Sequence, residues 1–225
     1  MNKCEQCIVK EFHSLKSLTQ EELIRISDCK TSKVIKKEQP IFNEGDTMNG
    51  VFCVRKGICK LTKLSANGNI QIVKLVVKGD LLGQRSLVSK ECANLSATAL
   101  SDMQVCFIPK REIIRSLNEN TNFSMDILKS IAIGLRESDN VIVNMVQKPV
   151  RQRLSEALLY IYTTFGTTDD GMLSIILSRE DYSNLVGTAT ESAIRILSQF
   201  KKDGLISTKG KQIKIEDIDG LKRVK

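Results

Sequence analysis

The chain has 225 residues, 41% of them hydrophobic and 27% charged, a balance that can bury a core and excludes a wholly disordered chain. Only 3 Pro and 13 Gly exclude a collagenous or low-complexity chain. Lys and Arg number 34 against 26 acids, a formal charge of +8, which favours an anionic partner, nucleic acid before a membrane surface.

No apolar run approaches the roughly 18 residues of a membrane span. The start, Met1-Asn2-Lys3-Cys4, has no apolar stretch that reads as a signal peptide. The expectation is a soluble cytoplasmic protein with no membrane partner. In chain order, the first feature is the Cys4-x-x-Cys7 pair. Thr19-Gln20-Glu21-Glu22 follows as a capping box, and Leu15, Leu18, Leu23 and Ile26 take helical spacing.

From Lys33 to Pro109 short strand runs alternate with turn signals. The runs are Val34-Ile35, Pro40-Ile41-Phe42, Gly50 to Val54, Ile58 to Leu61 and Ile70 to Val73. Glu44-Gly45-Asp46, Lys56-Gly57, Asn67-Gly68 and Lys78-Gly79-Asp80 punctuate them. Such a series predicts an antiparallel barrel or jelly roll.

A long amphipathic helix is expected next. Ile127, Ile131, Leu135, Ser138, Ile142 and Met145 step by three and four, the spacing of a coiled-coil seam. About 25 residues extend about 37 Å, longer than one barrel can cover, so the seam is read as a dimer contact. Lys148-Pro149 breaks the helix. A further helix runs from Val150 to Phe165, with Leu154, Ala157, Leu158 and Ile161 on one face, and stops at Gly166. Thr167 to Gly171 reads as a polar loop.

Ser178-Arg179-Glu180-Asp181 is a second capping box, opening a short helix that ends at Gly187. Thr188-Ala189-Thr190-Glu191 reads as a third, opening the next helix. Two short helices joined by a Gly-containing turn are a helix-turn-helix, with Leu185, Val186, Ala189, Ala193, Ile196, Leu197 and Phe200 as its shared core. Glu191, Arg195 and Gln199 recur every four residues on a polar face. Arg195 can bond guanine O6 and N7, and Glu191 can accept from cytosine N4. Ile194 can meet a thymine methyl and Ser192 a phosphate; Arg179 and Thr190, at the two helix starts, join the expected contact set. Leu205 to Ile215 alternates around Lys209-Gly210 and reads as a hairpin wing with Lys209 and Lys211 toward phosphate. From Ser192 to Lys214 the bases Arg195, Lys201, Lys202, Lys209, Lys211 and Lys214 face one acid, Asp203, so the charge gathers on this motif.

The chain has one His and no Trp, which argues against most catalytic centres, and against a cupin-type metalloenzyme in particular. Its seven cysteines are an odd number, and a reducing compartment disfavours a disulfide framework. Cys53, Cys59 and Cys92 lie in or beside strand runs and read as small buried hydrophobes.

In these parts, taken in this order, the sequence resembles the Crp/Fnr family of bacterial transcription regulators. Glu191 and Arg195 match the family's base-reading pair, Gly79-Asp80-Leu81-Leu82-Gly83 its jelly roll, and the long helix its dimer helix. The resemblance implies an α+β chain with three parts. They are a cyclic-nucleotide-binding-like jelly-roll sensor over 1–120, a dimerisation helix over 121–147 and a winged helix-turn-helix over 148–225. The dimer contacts are Ile127, Ile131, Leu135, Ile142 and Met145. It also implies a two-fold double-stranded DNA site with a TGA-like core, a homodimer, and RNA polymerase as a partner.

Where the cyclic-nucleotide branch holds ribose and phosphate, this chain has Gly83-Gln84 and Leu95-Ser96-Ala97, with Arg85 nearby. Leu95 cannot neutralise a phosphate, so no dependence on cyclic AMP is expected. The effector pocket, if used, is Gly83, Gln84, Arg85 and Ser96. The Fnr branch carries a four-iron, four-sulfur cluster on three N-terminal cysteines and one central cysteine. Cys4, Cys7 and Cys106 match three of these places, and His13 stands at the fourth, with Cys29 as the rival ligand. Imidazole does ligate iron in some clusters. The alternative is a regulator of the same fold that answers another small molecule, or none, without a metal centre.

Overall fold

The computed structural model describes residues 15–225, so Cys4, Cys7 and His13 lie outside the described residues. Helix α1 (Gln20–Cys29) leads into eight strands: β1 (Thr31–Ile35), β2 (Pro40–Phe42), β3 (Gly50–Lys56), β4 (Cys59–Leu64), β5 (Ile70–Val76), β6 (Leu81–Leu82), β7 (Ser96–Ala99) and β8 (Met103–Pro109). A short α2 (Gln84–Ser89) lies between β6 and β7. Next come α3 (Lys110–Glu119), the long α4 (Thr121–Gln147) and α5 (Val150–Phe165). The chain closes with α6 (Arg179–Val186), α7 (Thr190–Lys202), β9 (Ile206–Lys209), β10 (Gln212–Ile215) and α8 (Ile218–Lys222). Two compact units result: residues up to 64 with 73–137, and 65–72 with 138–225. No helix among the described residues is long and apolar enough to cross a membrane.

In the first unit two four-stranded sheets, ordered β1-β8-β3-β6 and β2-β7-β4-β5, form the jelly roll. Residues Gly50 to Val54 of strand β3 are an unbroken buried run, because both of its faces are covered there. Phe52 and Val54 join Cys59, Val76, Ala99, Met103 and Val105 between the sheets. Val51 and Cys53 face the other way, into a cluster with Leu15, Leu18, Leu23, Ile26, Cys106, Ile108, Ile113, Phe123 and Ile127. Gly50 is required where β3 meets β8. A Cβ there would overlap the Ile108 carbonyl oxygen and come within 2.6 Å of Phe107 Cζ. Gly50→Ala should therefore cost about 1–3 kcal/mol by overpacking. Urea unfolding reads this directly; an unchanged midpoint would mean that β8 yields freely.

The capping box at Thr19 forms. The Thr19 hydroxyl accepts from the Glu22 amide at 3.3 Å, and Glu22 accepts from the Thr19 amide at 2.8 Å. Asn120, between α3 and α4, donates to Glu22 at 2.7 Å and to the Ser17 carbonyl at 2.8 Å, while its own carbonyl accepts from the Phe123 amide at 3.0 Å. One side chain thus caps the long helix and ties it to α1. Burial pushes the Glu22 carboxyl up, but the bonds from Thr19, Asn120 and Ser116 outweigh it and hold it below its ordinary value. Below that, Arg25 meets Glu112 at 2.8 Å and donates to Ser116 at 3.0 Å.

In the second unit, Leu154, Leu158 and Ile161 of α5 are buried, as are Tyr182, Val186, Ala193, Leu197 and Phe200 of α6 and α7. Gly166 caps α5, as its sequence position suggests.

Candidate nucleic-acid interface

Helix α6 starts on a working capping box. The Ser178 hydroxyl accepts from the Asp181 amide at 2.9 Å, and Asp181 accepts from the Ser178 amide at 3.0 Å. The helix stops at Gly187, whose φ of +65° suits glycine. The third capping box is corrected: α7 is capped by Ala189, with no side-chain bond. Thr190 turns inward instead. Ser183 donates its hydroxyl to the Glu180 carbonyl, so the Thr190 hydroxyl is the donor in the 3.0 Å Ser183–Thr190 contact. That bond locks α6 to α7. It also means Thr190, expected to reach DNA, has its hydroxyl engaged within the motif. Ala189, expected in the shared core, is exposed.

Ala193, Leu197 and Phe200 bury one side of α7. The opposite side exposes Glu191, Ile194, Arg195, Ser198 and Gln199, with Ser192 half-buried at its margin. Among the described residues neither Glu191 nor Arg195 is held in an ion pair. Ser198 was not singled out from the sequence; it lies three residues beyond Arg195 on the same stripe, and that spacing is the signal that could have found it. Gln199 differs from its neighbours: it donates to Asp203 at 2.7 Å, and Asp203 also receives Arg151 at 2.9 Å. Those bonds, Arg151's first, hold the Asp203 carboxyl below its usual range. The Arg151 guanidinium lies 5.0 Å over the Phe200 ring. Gln199 therefore closes the C-terminal end of α7. Arg179 is half-buried at the first turn of α6, with one terminal nitrogen buried and without a hydrogen bond.

Strands β9 and β10 pair antiparallel, Lys209 opposite Gln212, with Gly210 at φ +61° in the turn. Ile206 and Ile213 point inward, and Lys209 and Lys211 are exposed at the tip. Lys214 is engaged with Glu216 at 3.3 Å. The expected polar loop before the wing is partly paired: Thr167 bridges Leu173, and Met172 bridges Lys214.

The sensor-side residues fall in the first unit. Gly83 caps α2 at φ +88°, Gln84 is half-buried and Arg85 exposed. Ser96 accepts from the Glu44 amide at 2.9 Å. Cys106 is 5% exposed, with Ser32 Oγ 3.6 Å from its sulfur. Cys29 bonds the Ile26 carbonyl at 3.5 Å, and burial followed by the nearby Glu112 charge pushes its thiol up. Cys53 and Cys59 are buried as expected, and burial raises the Cys59 thiol to about 12. Cys92 is corrected: it is exposed, in the turn after α2. Among the described residues no three His, Cys, Asp or Glu side chains gather as metal ligands. The buried soft sulfur of Cys106, with a hydroxyl beside it, nevertheless suits an iron–sulfur donor.

On α4, Ile127 is already buried in the chain's own cluster, and Ile131 packs against it. The stripe left exposed is Leu128, Leu135 and Ile142, seven residues apart, at 58%, 63% and 62% exposure. Leu128 went unnoticed in the sequence because the seam was drawn through Ile127. Met145 is half-buried.

Two family models match the chain. Residues 32–120 match the cyclic nucleotide-binding domain family, and residues 152–224 the Crp-like helix-turn-helix domain family. The chain is 25% identical to the anaerobic regulatory protein of Haemophilus influenzae over 221 residues, covering 97% of this chain and 86% of that one. It is 24% identical to the fumarate and nitrate reduction regulatory protein of Escherichia coli, covering 97% and 88%. Its fold is similar to that of FixK2 from Bradyrhizobium japonicum, with a TM-score of 0.77 at 23% identity, covering 87% and 96%.

Proposed function

We propose that this chain, which belongs to the Crp/Fnr family of DNA-binding transcription regulators, reads a two-fold DNA site as a homodimer under the control of a redox-responsive sensor. The chain is a regulator and not an enzyme. The observation that carries the reading is the exposed Glu191–Ile194–Arg195 face of α7, set beside a lysine-tipped wing. Residues 1–120 act as sensor, 121–147 as dimerisation helix and 148–225 as reader. RNA polymerase is the expected further partner, and the cytoplasm the expected location.

At the DNA, Arg195 bonds a guanine edge, Glu191 accepts from cytosine, and Ile194 meets a thymine methyl. Ser192, Lys209 and Lys211 take phosphates, and Arg179 adds positive charge at the start of α6. Lys211→Ala should weaken specific and random DNA alike and flatten the salt slope by about one unit. Titration at several salt concentrations checks this; an unchanged slope removes Lys211 from the phosphate contacts.

At the sensor, Cys4, Cys7 and Cys106 hold a four-iron, four-sulfur cluster, with His13 or Cys29 as the fourth ligand. Bound there, the cluster supplies reversible redox chemistry and sensitivity to oxidants. Cys106 lies in the same buried cluster as Phe123 and Ile127 of the long helix, so a change at its sulfur bears on the helix that spaces the two readers. The test is anaerobic purification, with iron and sulfide content and the visible spectrum recorded before and after air. Bound iron and sulfide with a colour that bleaches in air support the reading. A colourless, iron-free protein that still binds DNA overturns the cluster and moves the sensor to the barrel around Gly83, Gln84, Arg85 and Ser96.

A further inference from the structure

Helix α6 has no base in its last turn, the place where a cation best offsets the partial negative charge of a helix end. The Gly187 and Thr188 amides both return to the Ser183 carbonyl, so neither reaches the Val186 carbonyl, the last of the helix. Val186 is 3% exposed, and a buried carbonyl needs a donor. Arg153, in the first turn of α5, supplies both the donor and the charge. Its Nη1 donates to the Val186 carbonyl and to Met145 Sδ in the last turn of α4.

The guanidinium is committed to this place. Arg153 is half-buried, makes no ion pair among the described residues, and has its Nε buried without a hydrogen bond. The turn between α6 and α7 packs on the same two side chains: a Cβ on Gly187 would come within 3.0 Å of Met145 Sδ and 3.4 Å of Arg153 Nη1. Beyond that turn, Thr190 ties the start of α7 to Ser183. All of these residues belong to one compact unit. The end of α4, the start of α5 and the helix-turn-helix therefore meet at one nitrogen. Arg151, two residues earlier, grips the far end of α7 through Asp203, but that pair is solvent-exposed, and exposed pairs contribute little. A buried carbonyl stripped of a charged donor loses far more.

We propose that Arg153 is a positioning residue for DNA reading: by holding the C-terminal end of α6 it fixes the angle at which α7 presents Glu191 and Arg195. This rests on α7 being the reader, as set out above. In this role Arg153 touches neither base nor phosphate. Base edges are read in one register only, whereas phosphates attract the lysines whatever the sequence. Without the bond the reading orientation is one of several, and specific affinity falls by the fraction of time it is populated.

The test uses the full chain purified without oxygen, the duplex that the wild type selects from a random pool, and a scrambled duplex of the same length. Arg153→Met keeps the aliphatic stem and removes the donor. Arg153→Lys keeps a cation, which is enough where a single nitrogen makes the bond. Arg153→Met should bind the selected duplex about tenfold more weakly or worse, and the scrambled duplex nearly as before, with its salt slope unchanged. Arg153→Lys should recover most of the loss. Wild-type affinity in Arg153→Met, even with a lowered unfolding midpoint, overturns the assignment, because the arginine then serves the fold alone. Equal losses on both duplexes, with a salt slope flatter by about one unit, make Arg153 a phosphate contact and overturn it too. A lysine variant no better than the methionine one does the same. A second measurement needs no variant. With 15N-arginine and 13C-carbonyl valine, the wild type should show a scalar coupling across the bond from Arg153 Nη1 to the Val186 carbonyl; a freely rotating Arg153 guanidinium without that coupling overturns the assignment. A wild type that selects no sequence is a separate outcome: it overturns the reading of DNA by α7, and this assignment with it.

Discussion

Ile142→Glu is expected to leave the chain monomeric and unable to hold a two-fold DNA site. Ile142 is 62% exposed, in register with Leu135 and Leu128 along one stripe of α4. Burying each such side chain is worth about 1.5–3 kcal/mol, and two-fold symmetry counts every contact twice. A glutamate in that seam replaces the gain with the cost of desolvating a carboxylate, and its symmetry mate adds a like charge nearby. The readers then bind one half-site at a time, and the advantage of simultaneous engagement is lost. Light scattering gives the mass, and fluorescence anisotropy on a two-fold duplex gives the affinity. A variant that stays dimeric would move the interface off this stripe.

Arg195→Ala should lose about 1–3 kcal/mol at each half-site, so about 2–6 kcal/mol for a dimer on a symmetric site. Arg195 is exposed on α7, which is fixed from behind by Ala193, Leu197 and Phe200 and at its start by Thr190 on Ser183. Random DNA, held through phosphates, should lose much less. The specificity ratio therefore falls along with the affinity. Competitive titration against a scrambled duplex measures both. Equal losses on the two duplexes would remove Arg195 from the base-reading role.

Much of this architecture could be read from local chemistry. Thr19 and Ser178 mark their helices because a hydroxyl and a carboxylate three residues apart satisfy amide groups on the spot. Gly166, Gly187 and Gly210 fix the ends and the wing turn for a similar local reason. Local pattern misleads where a distant partner makes the choice. Thr188-x-x-Glu191 has the spelling of a capping box, but Thr190 bonds Ser183 and the cap falls to Ala189. Heptad spacing in α4 says that one face is apolar, not which neighbour covers it; the chain's own cluster takes Ile127 before any second copy can. Helix α3 went unread because it opens on Pro109 with no side-chain cap, so no capping signal marks its start. Cys92 looks like Cys53 and Cys59, yet it follows Lys90, at φ +62°, in an exposed turn. The hold of Arg153 on the Val186 carbonyl depends on contact between residues far apart in the chain, which no local pattern carries.

The central claim is that α7 of two copies reads a symmetric DNA site through Glu191 and Arg195. Selection of bound sequences from a random duplex pool, by the full chain purified without oxygen, tests it most directly. The expected result is enrichment of an inverted repeat with TGA-like half-sites, their centres about one helical turn (34–36 Å) apart. The Arg195→Ala protein should no longer enrich the guanine position. A single unrepeated motif, or no enrichment by the wild-type protein, would contradict it.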